Sequence, residues 1–137
     1  MPISSGFNHV ATLTSDMDRT VRFYEQVFEG VVSFTMEKTD DHPYMRIVEL
    51  GGGAALNVFE TTTEEIIGER RRQGGRGAID HFAIAVADRS VLDEVRTRLL
   101  ASEAEEVGEV QRLGGIWSLY FRDPDGMELE VACPDAG

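Results

Sequence analysis

Cysteine is nearly missing from this chain: Cys133 is the only one in 137 residues. No intramolecular disulfide can form, which fits a reducing compartment and sets the expectation of a cytoplasmic protein. Basic residues are scarce. Thirteen Lys and Arg stand against 25 Asp and Glu, a formal net charge of −12. A nucleic-acid interface needs a basic face, so no nucleic-acid partner is expected. No apolar run is long enough to span a membrane, and "MPISSGFNHV" has no basic start followed by an apolar stretch. Neither a membrane segment nor a signal peptide is expected. Apolar residues make up 42%, enough for a core. The length suits one domain or two small joined modules.

Strand and helix signals alternate along the chain. Phe7 to Thr14 reads as a first strand. Ser15 and Asp16 offer N-caps to a helix whose stripe is Met17, Thr20, Val21, Tyr24, Val27 and Phe28, with Phe23 beside it and Gly30 at its end. "VVSFTMEK", "YMRIVEL" and "AALNVFE" follow as three strands, separated by "TDDHP" and "GGG". "TTTEEIIGERRRQGGRG" breaks the pattern and reads as a short helix or turn plus a linker. The order then restarts: "IDHFAIAVAD", a helix capped by Asp88 or Ser90 with the stripe Leu92, Val95 and Leu99, then "AEEVGEVQR", "GIWSLYFR", the turn "DPDG" and "MELEVAC".

The restart is an internal repeat. His9 and His81 are 72 positions apart (81 − 9), as are Asp16 and Asp88. Near the module ends the offset is 73, where "GAALNVF" overlies "GMELEVA" and Asn57 overlies Glu130. A duplicated unit of strand, helix and three strands explains all of these together. The expected organisation is one domain: a first module over 6–60, a linker over 61–77 and a second module over 78–133.

The repeat register carries the chemistry. His9, His81 and Glu130 stand at equivalent places in the two modules, and Asn57 takes the fourth place. In the fifth strand His81 shares a face with Ala83, Ala85 and Ala87, while Phe82, Ile84 and Val86 take the other. Two imidazoles and one carboxylate form a facial set that leaves metal positions open. That set favours Fe2+, with Mn2+, Zn2+, Ni2+ and Co2+ as alternatives. One carboxylate against two neutral imidazoles leaves a divalent ion with net positive charge, and a neutral Asn57 amide does not cancel it.

"NHVATLTSDMDRTVRFYEQVF", "DHFAIAV" and, most specifically, "YFRDPDGMELEV" resemble the vicinal oxygen chelate superfamily of glyoxalase I, bleomycin resistance proteins and extradiol dioxygenases. The resemblance runs from about Phe7 to Val131. It implies an α+β fold in which two βαβββ modules form an open, cupped, mixed eight-stranded sheet around a divalent metal. It places ligands on the first and fourth strands of each module, here His9, Asn57, His81 and Glu130. It also implies a homodimer in which His9 and Asn57 join the partner's His81 and Glu130.

The branch is narrowed by what stands at single positions. Glyoxalase I members carry a glutamate where this chain has Asn57, so that activity is disfavoured. Epimerases of the family use a glutamate base beside an amide ligand, and Glu60 falls on the opposite strand face from Asn57. Fosfomycin-modifying thiol transferases share the ligand set and a tyrosine matching Tyr120. Their lysine position is Val110, and the chain ends before their arginine, so that branch is set aside. Extradiol dioxygenases share the ten-residue spacing from Tyr120 to Glu130, but their acid/base histidine is missing, with Gln111 near its place. His42 reads as a turn residue before Pro43.

The expectation is a metal-dependent enzyme acting on a small substrate chelated through neighbouring oxygens, extradiol-dioxygenase-like or a glyoxalase/lyase relative. Tyr120 orients or protonates the substrate. The alternative is a non-catalytic protein that binds an antibiotic or metabolite, although such members lack the ligands that this chain keeps. Arg70, Arg71, Arg72 and Arg76 read as a solvated face, with an anionic substrate as the sharper alternative. Trp117 reads as core or rim.

Overall fold

Asp16 and Asp88 each start a helix, and each accepts a backbone N–H three residues on, from Arg19 at 3.0 Å and Val91 at 3.1 Å. A computed structural model describes residues 2, 6–63, 81–113 and 115–136. Over these the order is β1 (His9–Thr14), α1 (Met17–Phe28), β2 (Val31–Met36), β3 (Met45–Gly51), β4 (Ala54–Glu60), β5 (Phe82–Ala85), α2 (Arg89–Leu100), β6 (Gln111–Leu113), β7 (Ile116–Arg122) and β8 (Glu128–Pro134). The chain divides into two compact units, Met1–Ile66 and Ile67–Gly137. Arg70, Arg71, Arg72 and Arg76, and most of the expected linker, lie outside the described residues.

Each unit folds as one βαβββ module with a four-stranded mixed sheet. In the first the strand order is β1-β4-β3-β2, and in the second it is β5-β8-β7-β6. β1 pairs with β4 in parallel and β5 with β8 in parallel; the remaining pairs are antiparallel. A parallel pair needs a crossover, and the helix provides it by covering one sheet face. The α+β class holds, as two sheets of four strands.

The cores follow the alternation. In the first unit Val48, Leu56 and Val58 are fully buried with Met17, Val21, Phe23, Tyr24 and Val27 of α1. The Phe23 and Tyr24 rings meet edge to face at 4.9 Å. In the second unit Leu119, Phe121, Leu129 and Val131 are buried with Leu92, Val95 and Leu99 of α2. Truncating any of these leucines to alanine costs about 2–5 kcal/mol. The alternate residues face away from the helix: His9, Ala11 and Asn57 in the first unit, and Ala83, Ala85, Tyr120 and Glu130 in the second.

The duplication is visible in the register. α1 and α2 are each 12 residues long, and both their first and last residues lie 72 apart. In the parallel pairs Ala11 stands opposite Asn57 and Ala83 opposite Glu130. His9 and His81 each lie two residues before that alanine.

One strand is shorter than the sequence suggests. "AEEVGEVQR" forms β6 only over Gln111–Leu113. Upstream, Glu105 bridges Arg122 and the Gly108 N–H donates to the Tyr120 carbonyl at 2.8 Å. Between them Glu106 takes a left-handed φ of 51°, which turns the chain out of the ladder. The turn "DPDG" behaves as its residues require. The buried Asp123 carboxylate accepts the N–H groups of Asp125 at 3.0 Å and Met127 at 2.9 Å, and Asp123 is 3% exposed.

Candidate functional site

Two neighbouring strands bring His81 and Glu130 together. Glu130 projects from β8 on the face away from α2, because Leu129 and Val131 on either side are drawn into the core. His81 enters β5 on that same face. Its Nε2 lies 3.2 Å from Oε2 of Glu130. Tyr120 sits directly opposite Glu130 in the antiparallel register, and its ring meets the His81 ring edge to face at 5.2 Å. Glu130 is 8% exposed, so its carboxylate is a buried polar group that needs a partner. Ala83 and Ala85 are exposed and add no bulk beside the three.

The separation of the two donor atoms suits a shared ion. Nitrogen and oxygen ligands held at about 2.1 Å and at right angles stand about 3.0 Å apart, close to the 3.2 Å seen here. Within neither unit do three His, Cys, Asp or Glu side chains gather among the described residues. The second unit thus offers two donors, with a phenol alongside.

The first unit repeats the arrangement with weaker donors. His9 is exposed at the start of β1, and Asn57 is half-buried on β4, opposite Ala11. The Asn8 side-chain oxygen lies 2.8 Å from Nδ1 of His9. An amide oxygen accepts, so Nδ1 carries the hydrogen and Nε2 carries the lone pair. That is the tautomer a metal ligand needs, set by the bond its other nitrogen makes. Glu60 lies on the opposite face, as expected. Its carboxylate accepts the Met17 N–H at the start of α1 at 2.9 Å, which leaves it a structural task.

Several features near the site were not legible in the sequence. Ser118 lies two residues before Tyr120 and is fully buried, yet its hydroxyl has no hydrogen-bond partner among the described residues. Arg122 lies two residues after Tyr120 and is 7% exposed, with Nε 2.6 Å from the Glu106 carboxylate. The "S-L-Y-F-R" alternation puts all three on one face, but their burial depends on the surrounding fold. Trp117 takes the other face, half-buried, with the Arg89 guanidinium 4.4 Å from its ring. Cys133 is buried beside it, and burial, with the Asp88 charge adding to it, pushes the thiol up.

The family model "Glyoxalase/Bleomycin resistance protein/Dioxygenase superfamily" matches residues 6–131. The metallothiol transferase FosB of Shouchella clausii is 34% identical over 131 residues, covering 93% of this chain and 79% of that protein. The lactoylglutathione lyase GLX1 of Arabidopsis thaliana is 30% identical over 125 residues, covering 91% of this chain. This chain spans only 43% of that plant protein's length. Among solved structures, the glyoxylase/bleomycin resistance protein/dioxygenase domain from Frankia sp. EAN1pec superposes with a TM-score of 0.77 at 25% identity, covering 96% of this chain and 98% of that one. Among the described residues, no helix is long and apolar enough to cross a membrane. The chain belongs to the Glyoxalase/Bleomycin resistance protein/Dioxygenase superfamily, the vicinal oxygen chelate group that its motifs resemble.

Proposed function

We propose that this protein is a metal-dependent enzyme that binds a small substrate through two neighbouring oxygens. The observation that carries the reading is the His81–Glu130 pair at 3.2 Å with the Tyr120 ring beside it. His81 and Glu130 would hold the ion together with His9, whose Nε2 carries a free lone pair. Asn57 is a fourth donor or a hydrogen-bonding neighbour. Fe2+ is favoured by the two-imidazole, one-carboxylate set, with Mn2+, Zn2+, Ni2+ and Co2+ as alternatives. When bound, such an ion supplies Lewis acidity to the substrate oxygens. The active unit is a homodimer in which each site draws on both chains.

The protein's own residues do the rest. Tyr120 stands on the strand next to Glu130, where its hydroxyl orients a substrate oxygen or gives it a proton. The exposed alanines Ala83 and Ala85 leave space beside the donors for a planar substrate. Reactions open to this arrangement are ring cleavage of a catechol and lyase or isomerase chemistry on a hydroxy-carbonyl compound. Thiol addition is a second reading, favoured by 34% identity to a metallothiol transferase. Val110, where a phosphonate-binding lysine is expected, directs that reading to a substrate other than a phosphonate.

The test is a substrate screen of metal-loaded protein: oxygen uptake with catechols, isomerisation of hydroxy-carbonyl compounds, and thiol consumption with electrophiles. Tyr120→Phe should lower kcat/KM by roughly 100-fold while metal content stays the same. Equal turnover by Glu130→Ala would rule out the assigned site.

A further inference from the structure

We infer that the helix-free face of the first sheet seats an uncharged, apolar body of the substrate, carried beside its chelating oxygens, and that Phe34 and Leu13 set the preference for it. The inference rests on the metal-dependent reading given above and adds the substrate class. The strand register lays this face out in rows. Ala11, Asn57, Ile47 and Phe34 stand side by side across β1, β4, β3 and β2. One step along the strands, Leu13, Phe59, Met45 and Met36 form the next row. Neighbouring strands lie about 4.8 Å apart, which puts Phe34 about 10 Å from Asn57.

Asn57 is the polar side chain of these two rows, and neither row holds an ionisable group, in a chain where 28% of residues are charged. Phe34 is 46% exposed and Leu13 39%, with Ile47, Phe59 and Met36 half-buried. Exposed apolar side chains gathered on one face mark a binding surface. The second module shows that folding does not require them. In its register Ala85 stands where the first module has Leu13, Ala132 where it has Phe59, Ser118 where it has Met45 and Tyr120 where it has Ile47. The same βαβββ unit forms with small or polar residues at these places, so the apolar bulk of the first module serves something other than the fold.

The occupant is the ligand's own body. A broad apolar lining with one or two polar groups is the make-up of a small-molecule site, and here those groups are Asn57 and, at the start of β1, His9. A substituent on a molecule chelated at these donors lies over Phe59 and Leu13 and extends to Phe34. An anionic substituent would be desolvated there without a partner. The carboxylate on this face, Glu49 opposite Ala55, is of like charge, and it already accepts from the Ser33 hydroxyl at 3.0 Å. The face therefore selects a neutral aryl or branched alkyl group.

The experiment is calorimetric and needs no turnover. Catechol, 4-tert-butylcatechol and 4-sulfocatechol are titrated anaerobically into Mn2+-loaded protein. Wild type should bind the tert-butyl compound at least about 10-fold more tightly than catechol, and the sulfonate less tightly than either. Substituents also change the acidity of the phenol, so the deciding quantity is how the tert-butyl to catechol affinity ratio changes between proteins. Phe34→Ala and Leu13→Ala should each lower that ratio at least about 3-fold. Leu100→Ala, which trims an exposed apolar side chain on α2, should leave it unchanged. A ratio that stays at the wild-type value in both first-sheet variants, or falls equally in Leu100→Ala, overturns the inference. An unchanged ratio with a lower mass by light scattering in Phe34→Ala also overturns it, and gives the face to a second copy of the chain. No binding of any catechol to Mn2+-loaded wild type overturns the metal-dependent reading on which it rests.

Discussion

Replacing Gly30 by alanine tests how the first module closes. Glu29 ends α1 in the left-handed region with φ of 55°, and the Gly30 N–H then donates to the Tyr24 carbonyl at 3.0 Å. This brings Gly30 down onto β3. A Cβ added there would lie 2.8 Å from Cγ1 of Val48 and 3.2 Å from the Tyr24 carbonyl oxygen. Carbon atoms prefer about 3.5–4.0 Å, so the first contact is roughly 0.7 Å too close. Val48 is fully buried and β-branched, so it has little freedom to turn aside. Overpacking of this kind costs about 1–3 kcal/mol. The entropy removed from the unfolded chain returns about 0.4–1 kcal/mol. A net loss of about 1–2 kcal/mol follows, read as a lower urea midpoint with an unchanged slope. In a Val48→Ala background the same substitution should cost at least about 0.5 kcal/mol less, because the clashing methyl is gone. A midpoint that stays the same or rises in Gly30→Ala, or strict additivity with Val48→Ala, would refute the packing argument.

Three further outcomes are expected. Ser118→Ala should raise stability by about 1 kcal/mol, since it removes a buried hydroxyl without a partner among the described residues; a fall in the thermal midpoint would mean that the hydroxyl is bonded. The Ser90 hydroxyl and then the Val91 N–H hold the Asp88 carboxyl below its usual range. Its contribution is therefore present above the unfolded value of about 4 and lost as pH falls through the lower folded value. Asp88→Asn should flatten that part of the acid limb in urea midpoints measured against pH, and an unchanged limb would contradict the assignment. Cys133, buried and with its thiol pushed up, should resist a thiol reagent in the native protein and react once urea unfolds it; fast native labelling would show that the sheet opens there.

Much of the fold was legible because its signals are local or repeated. Asp16 and Asp88 cap their helices as their side chains suggest, and β4 covers the very residues of "AALNVFE". The 72-residue offset in the sequence reappears as matched helix ends, and the 73-residue offset as the Ala11–Asn57 and Ala83–Glu130 pairs. What escaped depends on distant partners. The sixth strand is shorter than "AEEVGEVQR" because the chain turns left-handed at Glu106, whose carboxylate pairs with Arg122 sixteen residues on, and no window of sequence shows that pair. The task of Glu60 is set by the Met17 N–H, 43 residues before it. His42 lies in the loop before β3, and its contacts to the Pro43 carbonyl and the Phe59 ring are set by the fold and not by its own window of sequence. The likeness to a metallothiol transferase exceeds what single positions suggested, since Val110 had set that branch aside. Thirty-four per cent identity is counted over 131 residues, whereas a branch test reads two or three.

The central claim is that His81 and Glu130 hold a divalent ion. It is tested most directly by metal content. Protein is prepared without chelator or nickel resin, incubated with Fe2+ or Mn2+ under nitrogen, desalted, and assayed for metal by mass spectrometry. Wild type should retain about one ion per chain, and His81→Ala and Glu130→Ala should each lose most of it, as removal of a ligand from a three-donor set demands. Wild type without near-stoichiometric metal, or both variants retaining as much as wild type, would contradict the account.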